Sequence, residues 1–243
     1  MDNYLKELES YLELHAKYKC KEYAALQKLH YTVPSLRAFI KQKAFSFQQH
    51  DTEIQLTIWD FIWHNSSYFE SRSLSIYPFQ HKSLNKNEFE KIINWVDRCT
   101  CWEHSDDLSK IYAQVLEENP DWILPIYKEW NHSDNLWKRR QSLVGLLEYA
   151  SKRKKVLAFE VLISFVQPLL NDAEYYVQKG VGWTLREIYN VYPKETIAFI
   201  EKNVFLITPI AYSAATEKLE KDLKTRFNDK RKNFRNQSKS SIK

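Results

Sequence analysis

The chain has 243 residues, 44% of them hydrophobic, and a formal net charge of +5. That length is enough to bury a core of the size found in enzymes, either in one large domain or in an array of small units. With only 3 glycines and 7 prolines, the sequence disfavours β-sandwiches, dinucleotide-binding folds and glycine-rich phosphate loops, because all of these need many tight turns. We therefore expect an all-α protein.

The cysteines and the N-terminus indicate the cellular compartment. Cys20, Cys99 and Cys101 include no pair with the two-residue gap of zinc knuckles, so we interpret them as reduced thiols. The first residues are acidic and amphipathic, unlike the basic flank and apolar run of a targeting segment, and no stretch of about 18 apolar residues occurs. These features predict a cytoplasmic protein without membrane contact.

Apolar residues at helical spacing run through the N-terminal half. Residues 4 to 28 read as one long helix or two short ones, and further helices are expected at residues 52 to 64 and 69 to 76. Trp59 and Trp63 fall within an apolar helical run. We therefore predict that both indoles lie in the core rather than at a ligand.

Amphipathic helices continue through the C-terminal half, joined by short links. Pairs of helices at spacings of roughly 35 to 45 residues are typical of an α-helical solenoid, with an irregular bundle as the alternative. We interpret residues 1–223 as one helical-repeat domain and residues 224–243 as a basic, partly disordered tail. That tail either contacts a polyanion or is simply solvated. The helices are expected at residues 86 to 98, 102 to 118, 121 to 131, 135 to 151, 155 to 170, 173 to 191, 194 to 202 and 208 to about 228.

A tryptophan and a carboxylate begin the helix expected at residue 102. Trp102 and Asp106 are four residues apart, so they project from one face of that helix, one turn from each other. Most such pairs are structural, with a packed indole and a solvated or capping carboxylate. The same spacing would suit a catalytic pair, and the rest of the chain has to decide between the structural and the catalytic interpretation.

Two adjacent arginines begin another helix. Arg139 and Arg140 follow Ser133-Asp134, which we expect to supply the N-cap. Both cannot face the core, so one of them contacts either a phosphate group or an acid on a neighbouring helix. A basic turn follows this helix, and it consists of Lys152, Arg153, Lys154 and Lys155.

Two of the three glycines, Gly180 and Gly182, fall inside a helical pattern. Each glycine costs a helix about 1 kcal/mol relative to alanine, so something must approach closely there. The alternatives are a tightly packed neighbouring helix and a ligand, and Trp183 would form a wall of the ligand's crevice.

These blocks resemble, in order, spacing and residue type, the AlkD-like DNA alkylation repair family. The resemblance runs from about residue 30 to about residue 220, and Cys101 departs from it because the family often carries asparagine there. The matching blocks are Trp102-x-x-x-Asp106, Ser133-Asp134-Asn135-Leu136-Trp137-Lys138-Arg139-Arg140, Val177-Gln178-Lys179-Gly180-Val181-Gly182-Trp183-Thr184-Leu185-Arg186-Glu187 and, near the N-terminus, Val33-Pro34-x-Leu36-Arg37.

The resemblance implies a HEAT-like helical superhelix, an α-α solenoid whose concave basic groove binds double-stranded DNA containing alkylated bases. It implies a monofunctional DNA glycosylase that excises cationic N3- or N7-alkylated purines without a metal, without a cofactor and without full flipping of the base. We expect a monomer that associates with the nucleoid when it acts.

Roles for single residues follow from the same resemblance. Asp106 would stabilise an oxocarbenium-like deoxyribose, Trp102 and Trp183 would flank that sugar, and Arg140 would hold a phosphate. The cationic residues that we expect to contact DNA are Arg139, Arg140, Lys152, Arg153, Lys154, Lys155 and Lys179.

Two other classes of function remain open. One is a non-catalytic protein of the same fold that binds distorted or branched DNA, since fold does not determine function. The other is an adaptor that binds proteins. Retention of Asp106 together with both tryptophans favours the enzyme, and the cationic residues argue against the adaptor.

Overall fold

The structure is a computed structural model. It describes residues 1–146 and 156–240, including all side chains there except those of residues 235 and 237–240. Within these residues the chain is helical apart from one small two-stranded sheet, so the expectation of an all-α protein is confirmed. The chain folds into two compact units, Met1–Glu118 and Asn119–Lys243.

The first unit contains six helices and a hairpin among its described residues. The hairpin is antiparallel and consists of β1 (Lys21–Tyr23) and β2 (Leu26–Lys28). The helices are α1 (Asp2–His15), α2 (Val33–Lys41), α3 (Thr52–Asn65), α4 (Phe69–Ile76), α5 (Lys86–Ile92) and α6 (Trp102–Glu118), with short 3-10 segments at Ser46–Gln49, Tyr77–Phe79 and Ile93–Arg98.

The hairpin corrects the expectation of helical structure throughout residues 4 to 28. The chain leaves α1 after His15 and reverses at Ala24 and Ala25, whose φ angles of 51° and 61° lie in the left-handed region. The physical reason is tertiary packing, because Leu26 is buried in a cluster formed with residues far along the chain. Such packing overrides the local helical pattern.

The tryptophans of α3 lie in the core, as predicted. Trp59 and Trp63 are fully buried. The Trp63 ring stacks on Trp95 at a centroid distance of 5.6 Å, and its indole N–H donates to the Trp95 carbonyl at 3.0 Å. These contacts join α3 to the 3-10 segment that precedes α6.

Helix α4 forms the centre of the first unit, and all eight of its residues are buried. Its Glu70 carboxylate accepts the main-chain N–H of Leu29 at 3.0 and 3.1 Å, and its Arg72 Nη1 donates to the Arg98 carbonyl at 2.9 Å. A buried charge is tolerated when such hydrogen bonds are made. Through these two side chains, α4 fixes the chain that leaves the hairpin and the chain that leads into α6.

The second unit is built around a long helix, α10, which packs against α8, α11 and α12. Its described helices are α7 (Pro120–Trp130), α8 (Leu136–Val144), α9 (Phe159–Val166), α10 (Tyr175–Val191), α11 (Pro193–Lys202), α12 (Pro209–Ala215) and α13 (Lys221–Ser240), with a 3-10 segment at Gln167–Leu169.

The two glycines of α10 have different surroundings. A Cβ atom added at Gly182 would lie 2.5 Å from the Ala211 carbonyl oxygen of α12, so the two backbones are in direct contact. At Gly180 the added atom would lie 3.6 Å from Arg140 Nη1, which is an ordinary van der Waals distance. Close helix packing therefore explains Gly182, whereas Gly180 is not required by packing.

Helix α13 begins at Lys221, so the expected boundary between residues 223 and 224 falls inside a helix. Phe227 is fully buried, and Arg231 is buried with its guanidinium donating to the Ile207 carbonyl at 2.8 Å. These two residues attach the helix to the rest of the second unit. Whether its remaining cationic residues contact a polyanion stays a prediction.

Candidate functional site

Trp102 and Asp106 share the first turns of α6, as the spacing predicts. Trp102 is 43% exposed and Asp106 is half-buried. With 43% of its surface exposed, Trp102 gains less free energy from burial than the fully buried indoles of α3. Core packing therefore accounts only in part for the tryptophan at position 102, and its role in catalysis stays a prediction.

The residues around Trp102 are tied to the core. The His104 ring is fully buried and stacks on Phe69 at 4.5 Å, and its Nε2 lies 3.1 Å from the Phe69 carbonyl. Burial lowers the pKa of His104 to about 3, so the ring is neutral at physiological pH. Nε2 then donates to the carbonyl, and Nδ1 is left as an acceptor. His104 thus supports α6 from behind and does not act as an acid or a base at neutral pH.

Cys101 supplies the donor that completes this arrangement. Its Sγ lies 3.3 Å from His104 Nδ1. Burial raises the pKa of the Cys101 thiol to about 12, so the sulfur keeps its proton and can donate to the imidazole. Cys101 is therefore part of the buried support of α6.

Asp107, the carboxylate next to Asp106, has a structural role. Its Oδ1 accepts from Gln80 Nε2 at 3.0 Å and from Lys110 Nζ at 2.7 Å. The Gln80 contact connects α6 to the segment that follows the 3-10 turn Tyr77–Phe79, and the Lys110 contact lies within α6. Of the two neighbouring acids, Asp106 is the one that lies a full turn after Trp102 on the same face.

The start of α8 differs from the expectation in its N-cap residue, and it shows the partner of Arg139. Asn135, rather than Ser133-Asp134, is the N-cap, because its side chain accepts the Trp137 N–H at 2.8 Å. Arg139 Nε donates to Asp172 Oδ2 at 2.7 Å. The ion-pair alternative therefore applies to Arg139, and its predicted DNA contact stays a prediction.

Arg140 joins α8 to the first turn of α10. The residue is only 3% exposed, and its Nη1 donates to the Tyr176 carbonyl at 2.7 Å. The Tyr176 ring in turn stacks on Trp137 at 5.3 Å. The predicted phosphate contact of Arg140 would have to be made from this nearly buried position.

Four residues of α10 follow one another on a single face, at intervals of one helical turn. Tyr175 and Lys179 are exposed, whereas Trp183 and Arg186 are half-buried. The Arg186 guanidinium lies 5.9 Å from the centre of the Trp183 ring and pairs with Glu217 at 2.8 Å. Sequence reasoning missed Tyr175, although its distance of eight residues from Trp183 places it on this face.

Part of the predicted interface lies outside the residues that the structure describes, namely Lys152, Arg153, Lys154 and Lys155. In the described parts of the chain, no group of three or more His, Cys, Asp or Glu side chains is placed to hold a metal ion. No described helix is long and apolar enough to cross a bilayer.

Three solved structures share the fold of this chain. The first is a predicted DNA alkylation repair enzyme from Enterococcus faecalis, with a TM-score of 0.65 and 16% identity over 90% of this chain and 96% of the other. The second is AlkD2 from Streptococcus mutans, with a TM-score of 0.62 and 20% identity over 89% and 99%. The third is smu.31 from Streptococcus mutans UA159, with a TM-score of 0.57 and 22% identity over 76% and 94%.

These likenesses define the class, a helical protein with the fold of DNA alkylation repair proteins. The model of the DNA alkylation repair enzyme family matches residues 5–219. The chain therefore belongs to this family, as the sequence motifs predict. It matches none of the curated proteins with which it was compared.

Proposed function

We propose that the protein is a monofunctional DNA glycosylase that excises cationic N3- or N7-alkylated purines from duplex DNA. One observation carries most of the weight. Trp102 is 43% exposed and lies one turn from Asp106 at the start of α6, in a chain that belongs to the DNA alkylation repair enzyme family.

The chemistry suits these residue types. An alkylated purine cation is already an activated leaving group, so the enzyme has no need to protonate the base. Positive charge develops on the deoxyribose as the glycosidic bond breaks, and the Asp106 carboxylate would stabilise it and orient the attacking water. The exposed face of the Trp102 indole would add a cation-π interaction of about 0.5 to 2 kcal/mol.

The same chemistry limits the choice of substrate. Because the lesion's own charge activates the leaving group, neutral lesions should be poor substrates. Recognition through the sugar and the backbone would leave the base in or near the duplex, unlike the closed base pockets of most glycosylases. Lys179 and Trp183, which lie on one face of α10, are among the DNA contacts that we propose in the second unit.

The direct test is release of bases from methylated duplex DNA. We expect 7-methylguanine or 3-methyladenine to appear faster than the spontaneous rate. The abasic product should stay unbroken until alkali is added, as for a monofunctional enzyme. If folded protein binds the DNA tightly and releases no base above the spontaneous rate, the non-catalytic DNA-binding protein becomes the better description.

A further inference from the structure

The β-hairpin contacts both residues that flank Trp102 in the sequence. On one side, the Tyr23 hydroxyl lies 2.8 and 2.9 Å from the two carboxylate oxygens of Glu103. On the other side, Leu26 packs with Cys101 in a buried cluster. The hairpin therefore restrains the backbone of α6 immediately before and immediately after Trp102.

A lysine of the hairpin completes the contact with Glu103. Lys28 Nζ lies 3.6 Å from Glu103 Oε1 and 4.1 Å from the ring centres of Tyr23 and Phe69. A cation held over two aromatic faces and beside a carboxylate has little freedom to move. The negative charge next to Trp102 is thereby balanced within the protein, which reduces its repulsion of a DNA phosphate.

Trp102 is the exception in an otherwise fixed first turn. Cys101 and His104 are buried, and Glu103 is held by the hairpin, whereas the indole of Trp102 remains exposed. The first turn of a helix lacks part of its internal hydrogen bonding and frays easily. Without the hairpin contacts, the backbone that carries this exposed side chain would move more freely, and the indole would move with it.

We propose that the β-hairpin is a positioning element for Trp102, and that Tyr23 and Lys28 are its positioning residues. They act on the backbone around the indole through Glu103 and do not need to touch the substrate. A helix terminus whose backbone is fixed before the substrate binds has less conformational entropy to lose in the complex, so the contribution of the indole that it carries to the transition state is larger. The catalytic part of this inference rests on the proposed glycosylase function, whereas the structural part does not.

The structural part is tested by fluorine NMR of protein labelled with 5-fluorotryptophan. The chain has eight tryptophans, and the Trp102 resonance is assigned by its absence from Trp102→Phe. We expect Tyr23→Phe to shift or broaden this resonance, because the hydrogen bonds to Glu103 are lost. An unchanged Trp102 resonance in Tyr23→Phe would overturn the inference.

Tyr31→Phe is the matched control. Tyr31 lies in the same unit, is half-buried like Tyr23, and also donates its hydroxyl, to the Leu12 carbonyl at 2.8 Å. Removal of the Tyr31 hydroxyl should leave the chemical shift and the width of the Trp102 resonance unchanged. If both variants move the resonance equally, the effect is general loosening of the unit and the inference is wrong.

The catalytic part is tested by single-turnover excision from methylated duplex DNA. We expect Tyr23→Phe to lower the excision rate by about 3- to 10-fold, which is less than the full effect of losing a hydrogen bond to a charged group because Tyr23 acts only through Glu103, while the DNA dissociation constant stays nearly unchanged. Glu103→Gln keeps an acceptor for Tyr23 and should lose less activity than Glu103→Ala.

Three outcomes separate this inference from the proposed function. Equal rates for wild type and Tyr23→Phe would overturn the positioning role. Weaker DNA binding with an unchanged excision rate would overturn it as well, because the hairpin would then act as a DNA contact. If the wild-type protein excises nothing, the glycosylase proposal fails, and the NMR comparison alone decides whether the hairpin fixes Trp102.

Discussion

Arg140 and Tyr176 connect two helices through one hydrogen bond, from the guanidinium of α8 to a main-chain carbonyl in the first turn of α10. Because Arg140 is nearly buried, Arg140→Ala should lower the free energy of unfolding by about 1.5 to 3 kcal/mol, the usual contribution of a hydrogen bond made by a charged group. Denaturant titration measures this change.

The same variant tests whether Arg140 also contacts DNA. Each lost phosphate contact reduces the slope of log binding constant against log salt by about one. We expect weaker binding and a shallower salt dependence. An unchanged slope in a folded variant would restrict Arg140 to its bond with Tyr176.

Asp106→Asn should abolish most of the excision and leave DNA affinity nearly unchanged, because the amide cannot balance the charge that develops on the sugar. Single-turnover rates and binding isotherms measure the two effects. The neighbouring Asp107→Asn is the matched control, since Asp107 is occupied by Gln80 and Lys110. Equal loss of rate and affinity in Asp106→Asn would indicate a structural carboxylate.

The two glycines of α10 should respond to alanine with opposite signs. Gly182→Ala places a Cβ atom 2.5 Å from the Ala211 carbonyl oxygen, and overpacking of this kind costs about 1 to 3 kcal/mol. Gly180→Ala meets only ordinary contacts, so it should stabilise α10 by about 0.5 to 1 kcal/mol through helix propensity. Urea unfolding of both variants checks the prediction, and two changes of the same sign would contradict it.

Buried His104 predicts a loss of stability in mild acid. Its pKa is lowered from 6.5 to about 3 by burial, with further lowering from Arg72 and Lys28. Below pH 6.5 the unfolded chain therefore binds a proton at this histidine, whereas the folded protein does not. The contribution of His104 to the free energy of unfolding is complete above pH 6.5 and is lost as the pH falls towards 3, with a slope of up to about 1.4 kcal/mol per pH unit.

Unfolding free energies measured between pH 6.5 and pH 5 isolate this effect, because ordinary carboxylates titrate at lower pH. His104→Gln should flatten the pH dependence in that interval. A slope equal to that of the wild type would show that another group is responsible.

The spacing of apolar residues along the sequence was enough to predict helices and the positions of side chains on their faces. Trp59 and Trp63 are in the core because their helix is apolar, and Trp102 lies a turn from Asp106 because four residues make a turn. The hairpin was not predictable in this way. Its reversal uses Ala24 and Ala25 in left-handed backbone, where glycine or asparagine would have given the signal.

The same limit applies to the polar contacts of the candidate site. The partner of Arg139 is Asp172, which is 33 residues away, and the partner of Tyr23 is Glu103, which is 80 residues away. No sequence period connects such pairs, because tertiary packing brings them together. The proposed DNA-binding face of α10 could be predicted from the sequence, since Tyr175, Lys179 and Trp183 repeat at intervals of four residues.

Helix α13 shows that the folded region of this chain extends beyond the residues that the family model matches. The family match ends at residue 219, just before α13 begins, yet Phe227 and Arg231 are buried against the second unit. A protein shortened to the matched region would expose the apolar surface that Phe227 covers and would leave the Ile207 carbonyl without its guanidinium donor. Shortening the chain to its recognisable family region should therefore yield a protein prone to aggregation rather than a smaller stable one.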